Sequence, residues 1–198
     1  RKSLYQWDTR RKNQRSIEFL EKTLQITNPI ILVHQMGRAG SMTTVDTLRA
    51  AGLNYPIFHT HWLHPDSLKT RLSYASINQL KESQYPLNVR TSIRISEHLQ
   101  KTGPGNREWH IVSVFREPIA RNISVFFLSI EVFIKDFFKR HANGDLSDEE
   151  ILQTFLHHFP HEQPIQWFDQ EIGETFNIDV YEHPFPTDQG YQVIQQDN

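Results

Sequence analysis

Three short runs of apolar, largely β-branched residues alternate with longer stretches in which apolar positions recur at helical spacing. Each short run predicts a strand buried in a sheet. Because short helical connections between such strands favour right-handed crossovers, the pattern predicts an α/β domain with a central parallel sheet flanked by helices. The predicted strands are 30–34, 55–61 and 109–115, and the predicted helices are 1–22, 45–51, 65–81, 89–101, 118–139 and 164–176.

Glycine, proline and helix-capping residues set several of the predicted boundaries. Gly52 is placed to end the second helix, and Pro118 is placed to open the long helix 118–139, whose periodic apolar and aromatic positions are expected to be core. The segment 147–150 resembles a capping box that starts another helix. Residues 178–181 are expected to form an edge strand or a hairpin arm.

The composition is that of one folded domain. The chain has 198 residues, of which 37% are hydrophobic and 22% charged, and it has no cysteine, which excludes a disulfide scaffold and a cysteine-based metal or redox site. The best apolar run, Ile123 to Ile134, is short and carries Glu131, so no membrane-spanning segment is expected. The chain starts with Arg and shows no signal-peptide pattern, so we expect it to be truncated at one or both ends.

Charge divides this single domain, 1–198, into regions. Residues 1–140 hold all 21 Lys and Arg against 11 acids, a balance of +10, whereas residues 141–198 hold 12 acids and no Lys or Arg. We therefore expect a basic lead-in helix over 1–28, an anion-binding core over 29–140 and an acidic helical region over 141–198.

The loop after the first strand has the features of a phosphate cradle. Glycines between a buried strand and a helix let backbone N–H groups approach an anion closely, at the positive end of the helix dipole. The loop lacks the Gly-Lys-Ser/Thr ending of a Walker A motif, which disfavours a phosphotransferase that uses ATP or GTP. The candidate ligand-binding residues are Gly37, Arg38, Ala39, Gly40, Ser41, Met42 and Thr43.

A second candidate site follows the third strand. Arg116 stands where that strand ends, and Ser124 lies about two turns into the next helix, so the two side chains could clasp a compact dianion.

Together the two segments resemble the sulfotransferases that use 3′-phosphoadenosine-5′-phosphosulfate (PAPS). Arg38-Ala39-Gly40-Ser41-Met42 is similar to that family's 5′-phosphosulfate loop, and the run from Arg116 to Ser124 is similar to its Arg-x-Pro-x-x-Arg-x-x-Ser segment for the 3′-phosphate. The tail, residues 167–191, also resembles bacterial capsular polysaccharide synthesis proteins. The resemblance implies a three-layer P-loop-like fold, a bacterial cytoplasmic setting, and PAPS as donor with 3′,5′-adenosine bisphosphate (PAP) as product and no required metal.

Three residues are candidates for the base that the acceptor hydroxyl or amine needs. His59 and His61 resemble the His-x-His of heparan-type 2-O-sulfotransferases, where the second His is the base, and a histidine of near-neutral pKa suits that role. Asp46 stands in the helix after the loop, where related enzymes carry a catalytic Glu. Many family members have Lys at the position of Arg38, which can neutralise the leaving group but cannot donate a proton to it.

The resemblance implies sulfuryl transfer to a carbohydrate of a capsular or extracellular polysaccharide, with no nucleic acid partner. A noncatalytic nucleotide-binding subunit of a polysaccharide-assembly complex is the alternative, and an atypical nucleoside kinase is a weaker one. Two histidine groups could in principle chelate zinc, but neither has a carboxylate at the usual helical spacing. These groups are His59, His61 and His64, and His157, His158 and His161.

Overall fold

The computed structural model describes residues 2–77, 80–182 and 184–196. The strands are β1 Ile30–His34, β2 Ile57–Thr60 and β3 Trp109–Val112. The helices are α1 Lys2–Leu24, α2 Ser41–Ala50, α3 Pro65–Ile77, α4 Leu87–Thr102, α5 Pro118–Leu128, α6 Ile130–Phe133, α7 Phe137–Asn143, α8 Asp148–His158 and α9 Gln163–Phe168. A π-helix, Asp169–Glu174, continues α9, and short 3₁₀ helices span Glu82–Gln84 and Pro104–Asn106. The helix predicted over 65–81 includes residues 78–79, which lie outside the described part of the chain.

The sheet is parallel, with the order β2-β1-β3. Leu32 pairs with Phe58 on one side and with Ile111 on the other. All five residues of β1 are buried, as its uninterrupted apolar run predicts for a strand covered on both faces. The prediction of an α/β fold with a central parallel sheet flanked by helices is confirmed.

The second and third strands are shorter than predicted. The last ladder pairs are His34 with Thr60 and Val33 with Val112, so the ladder with β2 ends where β1 ends and the ladder with β3 ends one residue earlier. Residues 113–115 therefore leave the sheet, and the side chain of Phe115 is exposed.

The largest core cluster lies where α1 and α4 cover the sheet. Ile17 and Leu20 of α1 and Ile95 of α4 pack with Leu32 and Phe58 of the strands. Burial of an aliphatic side chain of this size contributes roughly 1.5–3 kcal/mol, so this cluster is a main source of stability. The lead-in helix predicted from residue 1 is thus a packed element of the domain.

The single helix predicted over 118–139 is wrong. The chain forms α5, α6 and α7 instead, with a break at Ser129 and a left-handed residue, Asp136, at φ 55° before α7. These turns let α5 to α8 enclose a second apolar cluster, so tertiary packing overrides the continuous helical period. The buried members of this cluster are Phe126, Ile130, Ile134, Leu146 and Phe159.

The apolar residues of α5 are only partly core. Phe126 is 1% exposed, as predicted, but Ile119, Ile123 and Phe127 are 66%, 42% and 54% exposed. Because they are spaced four residues apart, they form one exposed stripe along the helix.

In the last part of the described chain, one prediction is confirmed and another is wrong. Helical structure covers 163–176, close to the predicted 164–176, but residues 178–181 form no strand. Asn177 adopts φ 57°, which ends the helix, and Ile178 packs against the first core cluster. The apolar character of this segment therefore reflects core packing rather than pairing in a sheet.

The predicted capping box is half formed. The Ser147 hydroxyl accepts a hydrogen bond from the Glu150 N–H at 3.1 Å, but the Glu150 carboxylate binds Arg140 at 2.7 Å instead of returning to the start of the helix. Within the described residues, no helix is both long and apolar enough to cross a membrane.

Arg107 fixes the end of α1 against the start of β3. Arg107 is 5% exposed, and its guanidinium donates to the carbonyls of Thr23, Leu24 and Ile26 at 3.2, 2.8 and 2.7 Å. The Thr23 and Leu24 carbonyls belong to the last turn of α1 and lack intrahelical partners, and Ile26 lies just beyond that turn, so one buried cation satisfies three acceptors.

Replacing Arg107 with Ala should lower the free energy of unfolding by roughly 2–3 kcal/mol, because buried carbonyls would lose a charged donor. Chemical denaturation followed by circular dichroism measures the change. The matched control is Arg49→Ala on the exposed surface of α2, which should change stability by less than about 0.5 kcal/mol. Equal effects of the two substitutions would contradict the role of Arg107.

Candidate functional site

The loop between β1 and α2 leaves room for a ligand above the start of the helix. Gly40 precedes the first turn with φ 87°, a conformation that favours glycine, and nothing lies within 4 Å of the position a Cβ would take there or at Gly37. The first-turn N–H groups, those of Ser41, Met42 and Thr43, have no partners within the helix. The loop can therefore present several backbone donors to an anion.

Arg38 joins the two segments singled out in the sequence. Its Nε donates to the Ser124 hydroxyl at 2.9 Å, across 86 residues of sequence, and its backbone has φ 73°. A positive φ in a residue other than glycine is uncommon and is maintained only where the surroundings hold it. The loop and the second segment thus meet at one place.

Arg121, the second arginine of that segment, is a structural link. It is 2% exposed, and its guanidinium donates to the Gly37 carbonyl at 3.4 Å, to Asn122 at 3.1 Å and to Gln163 of α9 at 2.9 Å. Arg121 therefore holds the loop after β1 and connects it to the acidic region of the chain.

Arg116 is exposed and forms no hydrogen bond or ion pair with any described residue. The adjacent Glu117 caps α5 by accepting from the N–H groups of Ala120 and Ile119 at 2.6 and 2.9 Å, and these bonds lower the pKa of Glu117. The helix start is capped without Arg116, which leaves its guanidinium available to bind an anion.

The three candidate bases have different surroundings. Nδ1 of His61 lies 2.6 Å from the Gln35 carbonyl, and since a carbonyl only accepts, Nδ1 carries the proton and Nε2 keeps its lone pair. Burial is the largest cause of a lowered pKa for His61, which keeps the ring neutral near pH 7. Nε2 makes no hydrogen bond to any described residue, so this imidazole can accept a proton.

His59 and Asp46 fit the role of base less well. The rings of His59 and His61 meet edge to face with centroids 4.5 Å apart, but Nε2 of His59 is buried without a partner among the described residues. Burial and the neighbouring His61 lower the pKa of His59 to about 4. Asp46 lies on the exposed surface of α2, 3.8 Å from Arg49.

A buried network that sequence reasoning missed holds the segment after β2. Glu171, in the π-helix, is fully buried and accepts from the backbone N–H groups of Leu63 and His64. Its Oε2 lies 3.5 Å from Nε2 of His34, whose Nδ1 bonds the Thr60 hydroxyl at 2.8 Å. The Glu171 carboxylate therefore fixes the residues that follow His61.

Glu171 remains ionised in spite of its burial. Burial alone would raise the pKa of Glu171, but the nearby His34 ring and the His64 N–H outweigh that effect, and the pKa lies below its usual value. No local sequence pattern indicates this pairing, because the residues are more than 100 positions apart. A π-helix is a frequent mark of functional sites, but it cannot be recognised from hydrophobic periodicity.

Two clefts open near α3. One, of about 380 Å³, lies between the start of α3 and residues 160–170, and the other, of about 490 Å³, lies between α3 and α4. Among the described residues, no three His, Asp or Glu side chains are grouped so as to hold a metal ion.

No family model matches the chain, and no significant match was found among curated proteins or solved structures.

Replacing Glu171 with Gln should lower the free energy of unfolding at pH 7 by roughly 1–3 kcal/mol, because a charged acceptor for two backbone donors is lost. The lowered pKa of Glu171 means that its contribution is complete above about pH 4.5 and disappears as the pH falls through the folded-state pKa. The difference between wild type and variant should therefore shrink below about pH 4.5.

Denaturant unfolding measured between pH 3 and 7 tests this prediction. The control is Glu174→Gln, which removes an exposed partner of His64 and should cost less than about 1 kcal/mol. A loss for Glu171→Gln that stays the same at every pH would contradict an ionised Glu171.

Proposed function

We propose that this protein is a sulfotransferase of the three-layer P-loop-like type. It moves a sulfuryl group from PAPS to a hydroxyl or amine acceptor, a carbohydrate of a capsular or extracellular polysaccharide. The observation that carries the proposal is the contact between Arg38 and Ser124, which brings the glycine loop and the Arg116–Ser124 segment together.

The residues present fit a donor with two separate anionic ends. The first-turn N–H groups of α2 and the Arg38 guanidinium serve the 5′-phosphosulfate, and Arg116 and Ser124 serve the 3′-phosphate. Arg116 forms no hydrogen bond or ion pair with a described residue, although its charge acts on the adjacent Glu117, so no such contact has to break before it binds. Backbone donors and guanidinium groups are the usual ligands of such anions.

Sulfuryl transfer requires alignment of the reacting groups and neutralisation of charge on the leaving group. PAPS supplies the activated sulfuryl group. Arg38 balances the charge that develops on the leaving phosphate, and Nε2 of His61 takes the proton of the acceptor hydroxyl. The Gln35 carbonyl keeps His61 in the tautomer that this step needs.

The noncatalytic scaffold remains a second candidate because of one specific contact. The Arg38 side chain is already bonded to Ser124, and an arginine there cannot protonate the leaving group. An atypical kinase lacks support, since the loop has no Gly-Lys-Ser/Thr and a kinase would require Mg²⁺.

PAP should stabilise the protein more than ATP or ADP in a thermal-shift titration. Ligand at about 100 times its dissociation constant adds roughly 2.7 kcal/mol to stability. Arg116→Ala should remove a charged hydrogen bond of roughly 1.5–3 kcal/mol from PAP binding, while adenosine 5′-phosphate, which lacks the 3′-phosphate, should bind nearly as before. The matched control is Arg49→Ala, an exposed arginine at the other end of α2.

A preference for ATP would reject the proposed donor. Equal weakening of both nucleotides by Arg116→Ala would contradict the assignment of Arg116 to the 3′-phosphate.

His61→Ala should reduce kcat by about 10²–10⁴-fold, the usual contribution of a positioned base, and should leave PAP affinity unchanged. Because the pKa of His61 is lowered, the rate of the wild type should decline only below about pH 6.5, where the imidazole becomes protonated. Release of labelled PAP from PAPS, measured from pH 4.5 to 8, gives both results.

His157→Ala on α8 is the control and should keep full activity. A larger loss for His59→Ala or for Asp46→Ala than for His61→Ala would transfer the role of base to that residue. Binding of PAP without any turnover on the acceptors tested would favour the scaffold.

A further inference from the structure

Hydrogen bonds of its lining residues connect the smaller cleft to the backbone of the candidate base and to the donor loop. Its back wall is Trp167, whose indole N–H donates to the His61 carbonyl at 3.0 Å. Gln163, on the same cleft, accepts from Arg121, which in turn donates to the Gly37 carbonyl. One hydrogen bond therefore links the cleft to the His61 backbone, and two hydrogen bonds in series, through Arg121, link it to the loop.

The groups on the cleft wall are those that bind a sugar. Trp62 is a partly buried indole, on which the apolar face of a pyranose ring can pack. The side chains of Gln166 and Gln170 are exposed and make no hydrogen bond to any described residue, so each amide offers donors and an acceptor to hydroxyl groups. An aromatic wall with a few placed polar groups is typical of small-ligand sites.

The position of Arg71 also supports a link to the chemistry. Arg71 lines the cleft, and its charge, together with that of Arg121, contributes to the lowered pKa of His61. Both cations thus lie within electrostatic range of the imidazole, one on the side of the cleft and one on the side of the loop. The cleft and the imidazole are therefore electrostatically coupled.

The larger cleft is less suitable. It lies between α3 and α4, its wall includes Leu68, Leu72 and Ile93, and it contains neither Trp167 nor Gln163, the residues that connect the smaller cleft to His61 and to the loop. The carboxylate on that wall, Glu97, lies 3.5 Å from Arg94 and is not one of the candidate bases.

We infer that the cleft between α3 and α9 is the acceptor site and that it holds a sugar residue of a glycan. This inference rests on the proposed sulfuryl transfer, and it assigns the substrate-binding role to Trp62, Gln166 and Gln170.

The test measures acceptor binding by calorimetry on protein saturated with PAP. The probes are three unsulfated hexasaccharides, one of alternating glucuronic acid and N-acetylglucosamine, one of alternating glucuronic acid and N-acetylgalactosamine, and one of mannose, together with a tyrosine-containing hexapeptide. The double variant Gln166→Ala/Gln170→Ala is compared with the matched pair Gln153→Ala/Gln189→Ala, which removes two exposed glutamines outside the cleft.

At least one hexasaccharide should bind the wild type and the matched pair equally. The cleft variant should bind it at least about tenfold more weakly, as the loss of two neutral hydrogen bonds predicts. Trp62→Ala should weaken the same probe further than Trp62→Phe, and every variant should keep its affinity for PAP.

Equal sugar binding by both double variants, binding of the peptide in place of the sugars, or binding of none of the probes would overturn the acceptor site. These results leave PAP binding intact and are thus distinct from failure of the proposed function, in which PAP itself does not bind.

Discussion

Two buried charges tie the acidic end of the chain to the basic core. Glu171 lies in the π-helix and binds the segment after β2, while Arg121 lies in α5 and binds both the loop after β1 and Gln163. A buried charge without a partner costs several kcal/mol, so both contacts have to form together with the fold. The acidic region is therefore part of the candidate site and does more than solvate a helical surface.

This arrangement explains how a small sheet can carry an organised site. The three strands end at the same edge, where His34 is the last residue of β1, His61 follows β2, and the segment that leads to Arg116 follows β3. Parallel strands bring such residues together at their carboxyl ends. The buried partners then restrain them, because His34 and the backbone after His61 share the Glu171 carboxylate.

Local patterns in the sequence were sufficient for the sheet and the loop. The apolar run 30–34 coincides with β1, whereas α2 begins at Ser41, directly after the left-handed Gly40, and not at the predicted residue 45. The break of the helix 118–139 could not be foreseen, because the apolar period continues through Ser129 and Asp136 without Gly or Pro. The lengths of β2 and β3 are properties of their pairing with β1 and not of either segment alone.

The candidate site divides in the same way. Arg38, Ser124 and His61 were identified by residue type and position, but Glu171, Arg121 and Gln163 act through contacts between distant parts of the chain. Hydrophobic periodicity carries no information about such pairs. Residues 141–198 contain 12 acidic residues, and nothing in the sequence indicates that Glu171 is fully buried.

At Arg38, which has a left-handed backbone, the residue that would be best for stability differs from the residue that would be best for ligand binding. Glycine would adopt φ 73° at little steric cost, so it would relieve the strain there while deleting the cation that touches Ser124. Selection for thermal stability alone would favour glycine at position 38, whereas selection for anion binding would favour arginine.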